Sequence, residues 1–264
     1  MKRVALTLCA LLTLGGLASA SDAAMGEKLG DDYKSASPKD KCIKIAVAYA
    51  DKVFKGSKET RAAQAAIDEI FLAYVNKGET SEAKLKLLGE LRNQTETECK
   101  ALNDARRKEN KKAPYVRHKE PNSNLQLAVL QSYVVDTAGP TPSLDKLGCL
   151  KLVRECTSWF ANNSLVLAYL SEALARDEAY AKADHAGKLT IIRDLAVDKK
   201  LMSDQERKYL GKAVLSDWMT HELKGGKNAD QLLEAVKALG KKGLICFFTR
   251  SWAEGILKQL KLVR

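Results

Sequence analysis

Apolar residues recur every three to four positions through most of this chain, and alternating apolar and polar runs are scarce, so the pattern predicts helices and few strands. Prolines 38, 114, 121, 140 and 142 punctuate it, leaving long proline-free stretches on both sides of residue 115. After Pro38, Cys42, Ala46, Tyr49 and Val53 form one stripe, with Ile43, Ala50 and Phe54 beside it. A turn at Gly56-Ser57 leads to a second helix faced by Ala63, Ile67, Ile70, Phe71 and Tyr74, which Gly78 is expected to close as a left-handed C′ residue. A third, from Ser81 to about Lys108, carries Leu87, Leu88, Leu91, Cys99 and Leu102. Short turns between these segments predict a small antiparallel bundle.

Residues 109–123 break the pattern, with two prolines, no apolar period and many cations, and read as a basic linker or loop. Beyond it a short helix spans Leu125 to Val135. Ser143 then begins a helix expected to carry Cys149, Leu152, Val153, Cys156, Trp159 and Phe160 without a break, with a stop at Asn162–Ser164 before Leu165–Leu174. Leu189, Ile192 and Leu195 continue the period. Ser203-Asp-Gln-Glu206 is a capping box, and Asn228 caps a helix bearing Leu232, Leu233, Val236 and Leu239. On the last helix Ile245, Phe248, Trp252, Ile256, Leu260 and Val263 share one face, with Arg250, Glu254, Lys258 and Lys261 opposite. The expected class is all-α, a bundle of eight to ten helices: a flexible stretch over 21–37, an N-terminal helical subdomain over 38–108, and a C-terminal one over 124–264.

The first twenty residues follow a different logic. Lys2 and Arg3 precede an apolar run from Val4 to Leu14, a Gly15-Gly16 break, and Ala18-Ser19-Ala20, the layout of a signal peptide cleaved before Ser21. The run is too short for a permanent spanning helix, and no later segment reaches that length. An exported protein, secreted or periplasmic, is therefore expected. Loss of Lys2 and Arg3 takes the net charge from +11 to +9, which suits an anionic protein, glycan or lipid surface, while export disfavours nucleic acid as the partner because it is scarce in such compartments.

Export also makes the remaining cysteines, Cys42, Cys99, Cys149, Cys156 and Cys246, a disulfide question. Cys149 and Cys156, seven apart on one continuous helix, would lie about 10 Å apart along its axis, beyond disulfide reach. Cys246 with either of them, and Cys42 with Cys99, are the expected bridges. An odd count leaves a disulfide-linked or non-covalent dimer open.

Recognisable catalytic chemistry is absent. The histidines, His118, His185 and His221, show no metal-ligand spacing; Asp217 and His221, four apart, read as a surface pair near a helix end. Gly225-Gly226-Lys227 lacks the remainder of a phosphate loop, and no GxSxG elbow occurs. No metal or cofactor is implied. Asn93-Gln-Thr95 and Asn162-Asn-Ser164 are glycosylation triplets that would matter only in a eukaryotic secretory pathway.

Two basic surfaces remain. Arg106, Arg107, Lys108, Lys111, Lys112, Arg117 and Lys119, with Tyr115 and His118 among them, could grip a polyanion. The last helix, with Trp252 beside Arg250, Lys258 and Lys261, could lie at a membrane interface or close the bundle. The expected function is an exported soluble binding protein that recognises an anionic partner or surface without catalysis. The alternatives are an exported helical enzyme acting on an envelope or extracellular polymer, and a carrier of an apolar ligand in a bundle cavity.

Overall fold

The computed structural model describes residues 21–262, and within 159–164 it describes the side chain of residue 163 only. The expected leader, residues 1–20, and Val263 lie outside the described residues. Every regular element among them is helical, which bears out the all-α class. Residues 21–29 form α1, followed by α2 (Asp31–Lys34), α3 (Pro38–Ala50), α4 (Ser57–Val75), α5 (Ser81–Glu109) and α6 (Ser123–Ala138). A 3-10 helix, η1 (Leu144–Cys149), then leads into α7 (Leu150–Cys156), α8 (Trp159–Arg176), α9 (Glu178–Lys182), α10 (His185–Val197), α11 (Asp204–Lys224), α12 (Ala229–Lys241) and α13 (Phe247–Leu262). From Asp31 onward that is thirteen helical elements, above the expected eight to ten, because short pieces such as α2, η1, α7 and α9 are too brief to show a period in sequence.

Local chemistry places the helix starts. Pro38 sits in the first turn of α3 behind Ser37, whose hydroxyl accepts from the Asp40 amide at 3.2 Å. Ser203 and Glu206 close a reciprocal capping box on α11, and Asn228 and Gln231 another on α12. Gly78 differs from expectation: it is not left-handed, and a Cβ there would sit 2.8 Å from the Lys84 amide nitrogen, so close approach to α5 is what requires glycine.

The chain forms two compact units, one comprising residues up to Thr137 together with Leu152–Asn162, the other Ala138–Lys151 together with residues from Asn163 onward. In the first, α3, α4 and α5 pack pairwise around Ile45, Ile67, Phe71, Leu85 and Leu88, all fully buried. Residues 21–37, expected to be flexible, are mostly helical there. Tyr33 is fully buried and donates its hydroxyl proton to Asp22 at 2.7 Å, and Lys41 pairs with the same carboxylate at 2.9 Å. In the second unit α11 packs on α10, α12 and α13, and α12 on α13, around Leu189, Ile192, Leu215, Leu232, Val236, Ala253 and Leu257.

The expected continuous helix from Ser143 through Phe160 is interrupted. Its first turn is 3-10, and Thr157–Ser158 break the run before α8, which continues through Asn162–Ser164 where a stop was expected. The break has partners: the Thr157 hydroxyl donates to the Val153 carbonyl at 2.6 Å, and the Ser158 amide donates to the buried Gln126 carboxamide oxygen at 2.9 Å. Disulfides are likewise corrected: none joins Cys42, Cys99, Cys149, Cys156 and Cys246. Cys246 Sγ instead lies 3.1 Å from Thr249 Oγ1. Cys156 fills the space above Gly89, where an added Cβ would come within 2.8 Å of its sulfur. Burial pushes the Cys42 thiol up to about 12, as befits a small core hydrophobe.

Candidate functional site

The basic segment after α5 is anchored along much of its length. It runs back along α5, with three side chains of that helix meeting it in reverse order. Asn103, buried, donates to the Val116 carbonyl at 2.8 Å and accepts from the Val116 amide at 2.7 Å. Further on, His118 Nε2 lies 2.7 Å from the Thr95 hydroxyl, and Arg92 donates to Glu120 at 2.9 Å. Finally Asp68 of α4 accepts from the Asn122 amide at 2.7 Å, and Gln64 donates to the Glu120 carbonyl at 3.0 Å. Val116 is fully buried in a cluster with Ala46 and Cys99. Residues 109–123 therefore form a strap within the first unit.

This placement divides the predicted cations. Arg106 is paired with Asp51. Lys119 lies 3.8 Å over the Tyr49 ring, and its burial, with Arg117 nearby, lowers its ammonium pKa. Arg107 sits over Tyr115, 5.3 Å from its centroid, while Arg107, Lys108, Lys111, Lys112 and Arg117 are exposed. Tyr115 is the one large apolar group exposed among them. Thr95, His118 and Glu120 line up in the order of a hydrolytic triad, but Thr95 is 1% exposed and donates its proton to backbone carbonyls of its own helix at 2.9–3.0 Å. His118 Nε2 must then be the donor to it. Burial lowers the His118 pKa, and with the Thr95 proton committed to its own helix the trio acts as a packing device.

The second unit holds a different arrangement at the start of α13. The sequence predicts a buried face of Phe248, Trp252, Ile256 and Leu260, yet the buried positions are Thr249, Ala253 and Leu257, a rotation of roughly a quarter turn at 100° per residue. The reason lies on the neighbours. Thr249 packs beside Gly211 of α11, where a Cβ would stand in ordinary contact with it at 3.5 Å. The Thr249 hydroxyl donates to the Lys208 carbonyl at 3.4 Å. Gly240 of α12 leaves the room occupied by Arg250, whose Cδ would lie 2.6 Å from a Cβ. Arg207 donates to the Gly243 carbonyl at 2.7 Å, holding the turn before α13, where Gly243 has φ +69°.

With those contacts settled, Phe247 and Phe248 point outward, 66% and 63% exposed, in an edge-to-face pair at 5.7 Å. Cations attend them. Lys208 lies 5.4 Å from the Phe248 centroid and 6.0 Å from that of Tyr209, itself exposed. Arg250 sits 5.8 Å over Phe247, and Lys212 5.1 Å over Trp252. Of the other predicted residues here, Lys258 is exposed and Lys261 is paired with Asp230. The sequence pointed to Arg250 and Trp252 but missed Lys208, Tyr209 and Lys212. Their spacing on α11 gives no hint of which helix they face.

A cavity of about 320 Å³ elsewhere in this unit is lined by Asp184, His185, Leu189, Trp218, Glu222 and Lys242, among others. His185 of this lining, not His221 as the sequence suggested, is the partner of Asp217, with Nε2 at 3.4 Å, and its ring centroid lies 6.4 Å from that of His221. Lys227 holds the Glu222 carboxyl below the usual range. Among the described residues no three His, Cys, Asp or Glu side chains stand close enough to hold a metal ion. An open cavity of about 580 Å³ in the first unit is lined mainly by polar residues, including Asn93 of the first glycosylation triplet; its Thr95 is buried in mid-helix. The side chains of Asn162 and Ser164 are outside the described set. No helix among the described residues is long and apolar enough to cross a membrane. No protein-family model, curated protein or solved structure matches this chain.

Proposed function

We propose that this chain is an exported, non-catalytic binding protein that recognises an anionic partner or surface through the α11–α13 face. One observation carries the reading: two adjacent phenylalanines, 66% and 63% exposed, with Lys208 and Arg250 over their rings and Lys212 over Trp252 on the same helix. Exposed apolar rings are a standing cost to a lone protein, and the cations over them, Lys208 and Arg250 (the latter shared with Glu254 at 3.5 Å), favour negative charge in whatever covers them. The net charge of +11 for the whole sequence, or +9 without the leader cations, favours the same class of partner at longer range.

The test is binding to immobilised dextran sulfate as NaCl is raised. The reading expects affinity to fall steadily with salt, and Lys208→Glu/Lys212→Glu/Arg250→Glu to weaken it far more than a reversal at the exposed, remote Lys182. Salt-insensitive binding, or equal effects of both reversals, would sink it. The enzyme alternative draws on the His185–Asp217 pair at its cavity; His185→Gln abolishing turnover of an extracellular polymer would favour it over the binding reading.

A further inference from the structure

The α13 edge carries more than charge. A soluble, fully hydrophilic polyanion would leave the phenyl rings in water, so it satisfies only half of the surface. An apolar partner without charge would strand Lys208, Lys212 and Arg250. A second copy of this chain would bring the same three cations face to face across a two-fold axis, since a symmetric interface presents one patch to itself. A bilayer containing anionic lipid meets both requirements at once: phosphates at the depth of the cations, and acyl chains beneath them.

We infer that Phe247 and Phe248 form a wedge that inserts into anionic phospholipid membranes, with Lys208, Lys212 and Arg250 contacting the lipid phosphates; this rests on the anionic-surface reading above. The construction suits that use. Thr249, 1% exposed, anchors the helix start against α11, so the rings project from a fixed base. The preceding turn presents exposed Lys241 and Lys242 and is braced by Arg207 on the Gly243 carbonyl. Tyr209, 42% exposed on the adjoining helix, adds an amphipathic ring suited to headgroup depth. Binding is peripheral and reversible, because two rings and a few cations fall well short of a spanning helix.

The experiment uses the full chain with phosphatidylcholine vesicles, with and without phosphatidylglycerol, and with soluble dextran sulfate in parallel. Wild type is expected to sediment with the anionic vesicles and not with the neutral ones. Phe247→Ser/Phe248→Ser is expected to lose at least about tenfold more in vesicle partitioning than in dextran sulfate affinity. Phe247→Trp/Phe248→Trp should retain vesicle binding and show quenching by lipids brominated in the upper acyl chain. The wedge is overturned if the serine variant sediments like wild type. It is also overturned if wild type binds dextran sulfate but ignores vesicles, a result that leaves the anionic reading standing. Binding to neither probe removes both. A dimer in sedimentation velocity that the serine substitutions dissolve would assign the patch to self-association and refute the wedge.

Discussion

Replacing Asn103 should release the strap. Its carboxamide makes two buried bonds to one residue, at 2.8 Å to the Val116 carbonyl and 2.7 Å from the Val116 amide. Val116 is fully buried and Asn103 is 4% exposed, so water cannot replace the lost partner. An Asn103→Ala substitution removes both bonds and leaves an amide and a carbonyl unsatisfied, each costing about 1–3 kcal/mol. The sum expected is about 3 kcal/mol, from the first unit alone. Asn103→Leu should cost as much, because filling the volume restores neither bond. Hydrogen exchange at the Val116 amide should accelerate about a hundredfold, since about 1.4 kcal/mol corresponds to each factor of ten. Urea denaturation followed by circular dichroism, with exchange read by mass spectrometry on peptides covering 110–120, measures both quantities. Arg117→Gln, at an exposed neighbour, should stay within about 0.5 kcal/mol. If Asn103→Ala stays within that limit too and exchange is unchanged, the strap is not held by this pair.

Gly89→Ala should destabilise despite alanine's better helix propensity, because its Cβ would stand 2.7 Å from the Cys156 Cα; a thermal melt raised by the substitution would refute that packing. Ser203→Ala removes one arm of the α11 capping box and should cost about 1 kcal/mol in urea. Acidification should weaken the first unit through His118. Burial sets its folded pKa below the ordinary 6.5, so the unfolded state binds the proton more readily. Stability from this group is thus full above 6.5 and is lost as pH falls from there through the folded value. His118→Gln should flatten that slope, and an unchanged slope would assign it elsewhere. The raised carboxyls of Asp68 and Glu69 act in the opposite sense lower on the scale, gaining stability on protonation.

How much of this could be read from the chain depended on the range of the interactions. Helix starts were legible because caps are local: Pro38 behind Ser37, Ser203 with Glu206, and Asn228 with Gln231 each lie within four residues. The strap was not, because Val116 is joined to Asn103, His118 to Thr95 and Glu120 to Arg92 across a reversal of the chain that leaves no periodic trace. The burial of α13 was misread because apolar residues occupy more than half of its circumference, so periodicity favours the larger ones. The contact involves partners on another helix, where Thr249 packs beside Gly211 and donates to the Lys208 carbonyl. The break at Thr157–Ser158 was hidden for the same reason, since the Gln126 side chain that receives the Ser158 amide lies 32 residues away. The candidate surface combines a legible part, Arg250 and Trp252, with Lys208, Tyr209 and Lys212, which only the docking of α13 on α11 brings to them.

The most direct test of the central claim is hydrogen exchange of the full chain with and without vesicles containing phosphatidylglycerol. The account predicts slowed exchange in peptides covering 241–252 and 205–213, relieved by high salt, with the basic segment over 106–119 unaffected. Protection confined to 106–119, or no protection anywhere under conditions where the protein sediments with the vesicles, would contradict it.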